Sequence, residues 1–283
     1  FAQDFIQPGV FNHQLTLTLK GPIDIAALEE RLNHILSIHD VFRLTFQAEQ
    51  QVLVEKAPTL SIAEMPDIEA ANKALNMPFT LDEAPLIRAA IVRPGTLVIV
   101  AHHLIIDGVS WAVLIDQLDQ PTERISENVS FGAWTTTLDH AALRGDFRNE
   151  AAFWKAQTPF DSTTLPLDFP AVSLEDNREA SRRSIQCAIS LTERRTTPAP
   201  LQDILLTAVA SAIAAWTQSA KVRLDLEGHG RELELLDLDL SGTLGWFTSL
   251  YPVTLPIHTK DDARTRLAAV TKRLRAIPRH GSA

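Results

Sequence analysis

The spacing of apolar residues divides the chain into short strands and helices. Residues 13–19 alternate strictly between polar and apolar side chains, the period of two that is typical of a half-buried strand. After the Gly21-Pro22 break, apolar residues recur at helical spacing, and Asp24 stands where a helix cap belongs. The same criteria predict further strands over residues 41–47, 51–55, 86–92, 96–101, 184–191, 222–226 and 246–256, and further helices over residues 67–75, 109–118, 131–144, 150–157, 201–216 and 261–276. This mixture favours an α/β or α+β protein built in two parts.

Two segments of this pattern bear on how the chain is organised. The helix predicted at residues 201–216 is apolar on nearly all sides, so we expect it to be buried. Residues 158–177 are rich in Pro, Ser, Thr and Asp and follow no sustained period, which favours a crossing between domains. We therefore predict two domains, residues 1–165 and residues 166–283.

Composition and charge narrow the class of protein. The 283 residues are 45% hydrophobic and 22% charged, which is typical of a folded globular chain. The net charge of −9 argues against nucleic acid as a partner, because nucleic-acid binders concentrate Lys and Arg on one face. Cys187 is the only cysteine, so no internal disulfide is possible, and we expect a reducing, cytoplasmic location. No apolar run approaches the roughly 20 residues of a membrane span, and no membrane partner is predicted.

The first segment able to carry chemistry contains two adjacent histidines. His102 and His103 end an apolar strand, and Asp107-Gly108 opens the next helix. Strand periodicity sends the two imidazoles to opposite faces, so one faces a cavity while the other packs inward. A neutral imidazole accepts a proton at physiological pH, and its conjugate acid returns one. A purely structural histidine pair is the alternative, and no metal site is predicted because adjacent histidines diverge and no third ligand is evident.

The second segment is the charged turn Glu227-Gly-His-Gly-Arg-Glu232, which follows an alternating strand. Its glycines let the backbone approach another chain or a ligand closely. A carboxylate that lies in a low-dielectric cleft becomes a stronger base. The alternative interpretation is an ordinary charged surface turn.

The third segment, Gly245-Trp-Phe-Thr-Ser-Leu-Tyr-Pro252, includes the only tyrosine of the chain. Aromatic residues at this density usually belong to a core, yet several hydroxyls on one short stretch also suit the lining of a channel. The chain has no P-loop, no Gly-x-Gly-x-x-Gly loop and no Gly-x-Ser-x-Gly elbow. We therefore expect no tightly bound cofactor.

Together these segments resemble the motifs of the condensation-domain superfamily of nonribosomal peptide synthetases, and in particular its epimerization branch. His102-His-Leu-Ile-Ile-Asp-Gly108 fits the superfamily's His-His-x-x-x-Asp-Gly core. The turn at residues 227–232 and the segment at residues 245–252 resemble two motifs of the epimerization branch. Three shorter stretches resemble further elements, namely Asp203-Ile-Leu-Leu-Thr-Ala208, Pro278-Arg-His-Gly281 and Phe1-Ala-Gln.

The resemblance implies a fold and an activity. Members of the family are α/β (α+β) proteins of two subdomains, each similar to chloramphenicol acetyltransferase, in a V around a central tunnel. Here the subdomains would be residues 1–165 and 166–283. A peptidyl carrier protein, working with adjacent synthetase domains, delivers an aminoacyl or peptidyl thioester on its 4′-phosphopantetheine arm. The enzyme interconverts the L and D forms at Cα and has no cofactor of its own.

The resemblance also implies roles for individual residues. His103, as the second histidine, and Glu227, as the acidic partner, are the implied catalytic pair. A thioester α-proton is weakly acidic, so its exchange needs a positioned base and a second group at the other face of a planar intermediate. The implied supporting residues are His102, Asp107, Gly108 and Arg231, and the implied tunnel-lining residues are Trp246, Ser249 and Tyr251.

The chain departs from the branch in places, and other functions remain open. Ser241-Gly-Thr243 stands where the branch has Ser-Arg-Thr, and a final Asn-Tyr motif is absent. The chain begins at Phe1 and stops at Ala283 so abruptly that we expect an excerpt of a longer polypeptide. A condensation domain would use His103 to join two carrier-bound substrates without needing the 227–232 motif. A non-catalytic scaffold that docks the carrier protein is the third interpretation.

Overall fold

A computed structural model describes residues 7–47, 50–157, 165–166, 184–188, 198–231 and 237–281. The chain divides into two units. The first contains the described residues up to 143 together with residues 237–247, and the second contains the described residues from 144 to 231 and from 248 to 281. The predicted boundary at residue 165 lies among residues that are mostly outside the described part, and it stays a prediction.

The first unit combines a mixed sheet with helices. In chain order its described elements are β1 (Asn12–Thr18), α1 (Ile25–Ile38), β2 (Leu44–Gln47), β3 (Gln50–Leu53), β4 (Ile62–Met65), α2 (Ile68–Leu75), β5 (Ile87–Val92), β6 (Thr96–His102), α3 (Gly108–Asp119) and α4 (Phe131–Arg144). Four strands form one sheet in the order β1-β6-β5-β4. β4 and β5 run parallel, and the other two pairings are antiparallel. β2 and β3 form a separate antiparallel pair.

Burial explains the sequence pattern of this sheet. β6 is flanked by strands on both sides, and residues 97–101 within it are completely buried. The edge strand β1 alternates instead between partly buried and exposed positions, as its period of two predicts. α1 begins where predicted, because the Asp24 carboxylate accepts a hydrogen bond from the Ala27 N–H at 3.1 Å. The result is a continuous core at whose margin β6 ends with His102.

The second unit has a smaller core of its own. Its described elements are α5 (Ala151–Gln157), α6 (Leu201–Thr217), β7 (Lys221–Gly228), β8 (Ser249–Pro256) and α7 (Ala263–Arg275). β7 and β8 pair antiparallel, with Gly228 opposite Ser249. The core residues of this unit include Ala210, Ala214, Val253, Leu255 and Val270, all fully buried.

The prediction that the helix at residues 201–216 is buried on all sides is wrong. One side of α6 is exposed, with exposed fractions of 41% at Leu205, 50% at Val209 and 55% at Trp216. The opposite side packs Ala210 and Ala214 into the core of the second unit. A uniformly apolar helix has no polar stripe to mark the uncovered side, so the pattern could not reveal which residues lack cover.

Three smaller predictions also need correction. Residues 184–188 are exposed and have no regular secondary structure, although the pattern predicts a strand over residues 184–191, and the rest of that stretch is outside the described part. β8 begins at Ser249 rather than at residue 246. The sequence pattern misses β4, because Ile-Ala-Glu-Met neither alternates between polar and apolar side chains nor forms a continuous apolar run. None of the described helices is both long and apolar enough to span a membrane.

Candidate active site

The two adjacent histidines differ in their surroundings. His102 is fully buried, and its Nε2–H donates to the Pro8 carbonyl oxygen at 2.7 Å. Its Nδ1 accepts a hydrogen bond from the Leu104 N–H at 3.3 Å. Burial lowers the pKa of His102 more than the Pro8 hydrogen bond raises it, so the ring is neutral at physiological pH. Both nitrogens are therefore occupied in holding the end of β6, and His102 has no nitrogen available for catalysis.

His103 is partly exposed and carries a defined tautomer. Its Nδ1 lies 2.8 Å from the Ile106 carbonyl oxygen, which only accepts hydrogen bonds. Nδ1 must therefore carry a hydrogen. In the neutral ring this leaves the lone pair on Nε2, which is the arrangement that a general base requires.

Three aromatic side chains surround the His103 imidazole. The Phe11 ring stacks on it at a centroid distance of 4.8 Å, and the Trp246 ring lies 5.0 Å away. The His13 ring is closer still, at 3.7 Å. His13 is not among the site residues that the sequence predicts. Its position on β1, opposite Ala101 of β6, brings it near His103.

Asp107 is buried and fixes two segments at once. Its Oδ1 accepts a hydrogen bond from the Ser110 N–H at 2.7 Å and so caps α3. Its Oδ2 accepts a hydrogen bond from the Phe247 N–H at 3.0 Å. The Ser110 hydroxyl adds a reciprocal pair, because it donates to the Gly245 carbonyl oxygen at 2.7 Å and accepts from the Gly245 N–H at 3.1 Å. The first turn of α3 therefore holds the backbone on both sides of Trp246.

The two glycines of these segments have different environments. Gly108 is exposed, and a Cβ on it would meet nothing within 4 Å. A Cβ on Gly245 would overlap the Phe131 ring. The Phe131 ring also packs against Phe247, with ring centroids 5.2 Å apart. Gly245 is thus required for close packing, whereas Gly108 is not.

In the second unit, Glu227 is an exposed residue of β7 beside a pocket of about 380 Å³. Part of the pocket wall is formed by Leu226, Glu227, His229, Tyr251, Ile277 and His280.

The turn at Pro278–Gly281 closes against β7 and β8. Gly281, the last residue of this turn, has a φ of +76°, and a Cβ on it would overlap the Tyr251 ring. Two non-glycine residues before it, Arg279 and His280, also have positive φ angles. Such backbone is uncommon outside glycine and is held only by its surroundings.

The match to known proteins covers the whole chain. Residues 1–283 match the family described as the condensation domain. The chain belongs to the condensation-domain family. This condensation-family domain is 33% identical over 316 residues to one of the linear gramicidin synthase proteins of Brevibacillus parabrevis, an alignment that covers 97% of this chain and 4% of that protein. It is 26% identical to tyrocidine synthase 1 of the same organism, over 99% of this chain and 29% of that protein. The domain therefore spans only a small part of these curated relatives.

A solved structure supports the fold. The condensation-family domain resembles the crystal structure of the epimerization domain from the third module of tyrocidine synthetase B, with a TM-score of 0.85 and 25% identity. The match covers 99% of this chain and 72% of that one. The predicted mixed α/β fold class is confirmed, as is the resemblance to epimerization domains within the condensation superfamily.

The remaining predicted site residues divide between the two units: Arg231, Ser249 and Tyr251 belong to the second, and Trp246 belongs to the first. The Arg231 N–H donates to Nδ1 of His229 at 3.3 Å, while Glu232 lies outside the described residues. Ser249 lies opposite Gly228 in the β7–β8 pair, and its hydroxyl oxygen is buried. Tyr251 is 9% exposed and packs against Trp154 at 6.0 Å. Tyr251 lines the pocket beside Glu227, whereas Trp246 lies beside His103 in the first unit. Their role in lining a tunnel stays a prediction.

Proposed function

We propose that this domain is an epimerization domain of a nonribosomal peptide synthetase. It interconverts the L and D configurations at Cα of an aminoacyl or peptidyl thioester, which a peptidyl carrier protein delivers on its 4′-phosphopantetheine arm. The domain contributes no cofactor of its own and works beside adjacent synthetase domains. The observation that carries the proposal is the Glu227 carboxylate at the wall of a pocket, together with a His103 tautomer that leaves the Nε2 lone pair to accept a proton.

The chemistry requires a proton acceptor and a proton donor. Nε2 of neutral His103 takes the Cα proton, and the electron pair of that C–H bond enters a Cα–C double bond as negative charge moves to the thioester oxygen. Protonated Glu227 then delivers a proton to the other face of the enolate, and the electron pair returns to a new Cα–H bond. In the reverse direction the two groups exchange roles. Exchange of both groups with water restores the starting protonation states.

Two features support His103 as one of these groups. Its Nδ1 is engaged with the Ile106 carbonyl oxygen, so the basic lone pair stands on Nε2. The neighbouring rings of Phe11 and Trp246 narrow the range over which its imidazole can rotate. Glu227 is placed on a paired strand, and its neighbour Gly228 allows the His280 carbonyl to approach closely.

Deuterium exchange tests this proposal. The domain is incubated in D₂O with an aminoacyl thioester on a holo carrier protein, and deuterium at Cα is followed by mass spectrometry. We expect the wild-type domain to convert the L thioester into the D form with deuterium at Cα, and this conversion to fall at least about 100-fold in His103→Ala and in Glu227→Gln, since inversion needs both groups and a positioned acid or base contributes about 10² to 10⁴. Asp225→Asn is the matched control for Glu227, because Asp225 is an exposed carboxylate two residues earlier on β7. Conversion that survives in both site variants would disprove the assigned roles.

A condensation activity is the second candidate, because His103 belongs to the motif that the whole superfamily shares and the family match is to the condensation domain. It is distinguished by adding an acceptor aminoacyl carrier protein and searching for a dipeptidyl thioester. Dipeptide formation that is unaffected by Glu227→Gln favours condensation. Binding of the carrier protein with neither product favours a non-catalytic docking scaffold.

A further inference from the structure

The closest ring to the candidate base belongs to a second histidine. His13 lies on β1 opposite Ala101, two residues before His103 along the adjacent strand. The two imidazole centroids are 3.7 Å apart, and the rings are inclined by 40°. The backbone ties the same regions together, because the His103 N–H donates to the Phe11 carbonyl oxygen at 2.8 Å. The start of β1 therefore covers one side of the His103 ring.

We propose that His13 is a positioning residue for His103 and that its ring holds the His103 imidazole in the orientation that presents Nε2 to the substrate. This inference rests on the proposed function, since it assigns His13 to the same proton exchange. His13 touches no reacting atom in this role and acts only through His103.

The contacts of His103 explain why an additional ring is needed. The hydrogen bond from Nδ1 to the Ile106 carbonyl oxygen fixes one atom of the imidazole but leaves rotation about that contact. Phe11 stacks on the ring with an interplanar angle of 30°, and Trp246 lies beside it at 40°. His13 provides the shortest of the three ring contacts. Losing it opens space into which the His103 ring can turn, and small misplacements of a catalytic group reduce rate strongly.

The charge state of His13 fits this role. The pKa of His13 is lowered from 6.5 to about 4, chiefly by burial and then by the charge of His103, while Asp107 opposes both effects. The His13 ring is therefore neutral near pH 7. Two positively charged imidazoles at this distance would repel each other, and a neutral His13 avoids that repulsion when His103 takes up the Cα proton. His103 and Asp107 are the titratable groups that influence His13.

Two substitutions separate a positioning role from a general packing role. His13→Gln removes the ring but keeps a polar side chain, and His13→Phe keeps an aromatic ring that never ionises. We expect His13→Gln to reduce kcat for Cα deuterium exchange by about tenfold with KM unchanged, because substrate binding does not involve His13. We expect His13→Phe to restore most of that loss. His140→Gln is the control, since His140 is an exposed histidine of the same unit.

A spectroscopic measurement tests the same inference without any activity. The ¹⁵N chemical shifts of His103 in the ¹⁵N-histidine-labelled domain report which ring nitrogen carries the hydrogen. We expect the Nδ1–H form in the wild type and in His13→Phe, and a mixture of tautomers in His13→Gln. Unchanged His103 shifts together with unchanged kcat in His13→Gln would overturn the inference. If no protein shows exchange but the shifts change as expected, the epimerase proposal fails while the positioning of His103 by His13 stands.

Discussion

The carboxylate of Asp107 accepts a hydrogen bond from the backbone N–H of Phe247 at 3.0 Å, across 140 residues of chain. This bond joins the histidine motif at residues 102–108 to the aromatic motif at residues 245–252. The Ser110–Gly245 pair reinforces it. The consequence is that Trp246 lies beside His103, so the site in the first unit depends on a segment from far along the sequence.

Removing the charge of Asp107 should weaken this connection. In Asp107→Asn the side-chain oxygen still accepts a hydrogen bond from Ser110, but the amide nitrogen faces the Phe247 N–H and accepts nothing. We expect the free energy of unfolding to fall by about 2 kcal/mol, the scale of a buried hydrogen bond to a charged group. Urea unfolding followed by tryptophan fluorescence measures it. Asp116→Asn, on the exposed part of α3, should change stability by less than about 0.5 kcal/mol. Equal effects of the two substitutions would contradict the role of Asp107.

The packing of Gly245 leads to a second prediction. Gly245→Ala places a Cβ into the Phe131 ring, so we expect a loss of about 1 to 3 kcal/mol, as for other overpacked cores. Gly108→Ala adds the same methyl group in open space and should leave the unfolding midpoint nearly unchanged. Both variants are compared by thermal and urea unfolding. If Gly108→Ala proves the more damaging, Gly108 has a role that its surroundings do not explain.

The ionisation of His13 predicts how stability depends on pH. Its pKa is lowered to about 4 in the folded protein, so between pH 4 and 6.5 the unfolded chain binds more protons than the folded one. This contribution is fully present above pH 6.5 and is lost as the pH falls toward 4. Solvent screening reduces it to about 1 to 2 kcal/mol. Urea unfolding at several pH values should therefore show a shallower pH slope in His13→Phe than in the wild type. The slope in His140→Gln should match the wild type, and an unaltered slope in His13→Phe would refute the prediction.

The turn at Pro278–Gly281 gives a fourth prediction. Gly281→Ala introduces both an unfavourable left-handed conformation at φ +76° and an overlap with the Tyr251 ring. Gly21→Ala introduces the first penalty alone, because Gly21 has a φ of +84° and open space around its Cβ position. We expect a loss of about 1 kcal/mol in Gly21→Ala and about 1 to 3 kcal/mol more in Gly281→Ala. Gly281→Ala should also reduce Cα exchange, since Tyr251 and His280 line the pocket beside Glu227. Similar stabilities of the two variants would show that the Tyr251 contact is easily relieved.

Local sequence signals predicted most helices and strands because their causes are local. Asp24 and Asp67 each cap the helix that follows, and strand alternation placed β1 within one residue. The fold class followed from the succession of these elements and was confirmed by the similarity to a solved epimerization domain. The prediction that α6 is buried was wrong because an apolar composition is compatible with either a buried or an exposed helix surface. Only the packing of neighbouring elements decides between them.

The candidate site likewise has features that the sequence predicts and features that only the tertiary structure shows. The sequence by itself determined which short motifs hold His103, Asp107 and Glu227, because residue type and spacing identify a motif. The resemblance of these motifs to the epimerization branch predicts His103 and Glu227 as the catalytic pair and Asp107 as a supporting residue. Only the tertiary structure decided that Asp107 binds the Phe247 backbone, that the hydrogen on His103 stands at Nδ1, and that His13 lies against the same ring. These relationships depend on strand register and on hydrogen bonds between distant segments. Neither of these produces a periodic pattern in the amino-acid sequence.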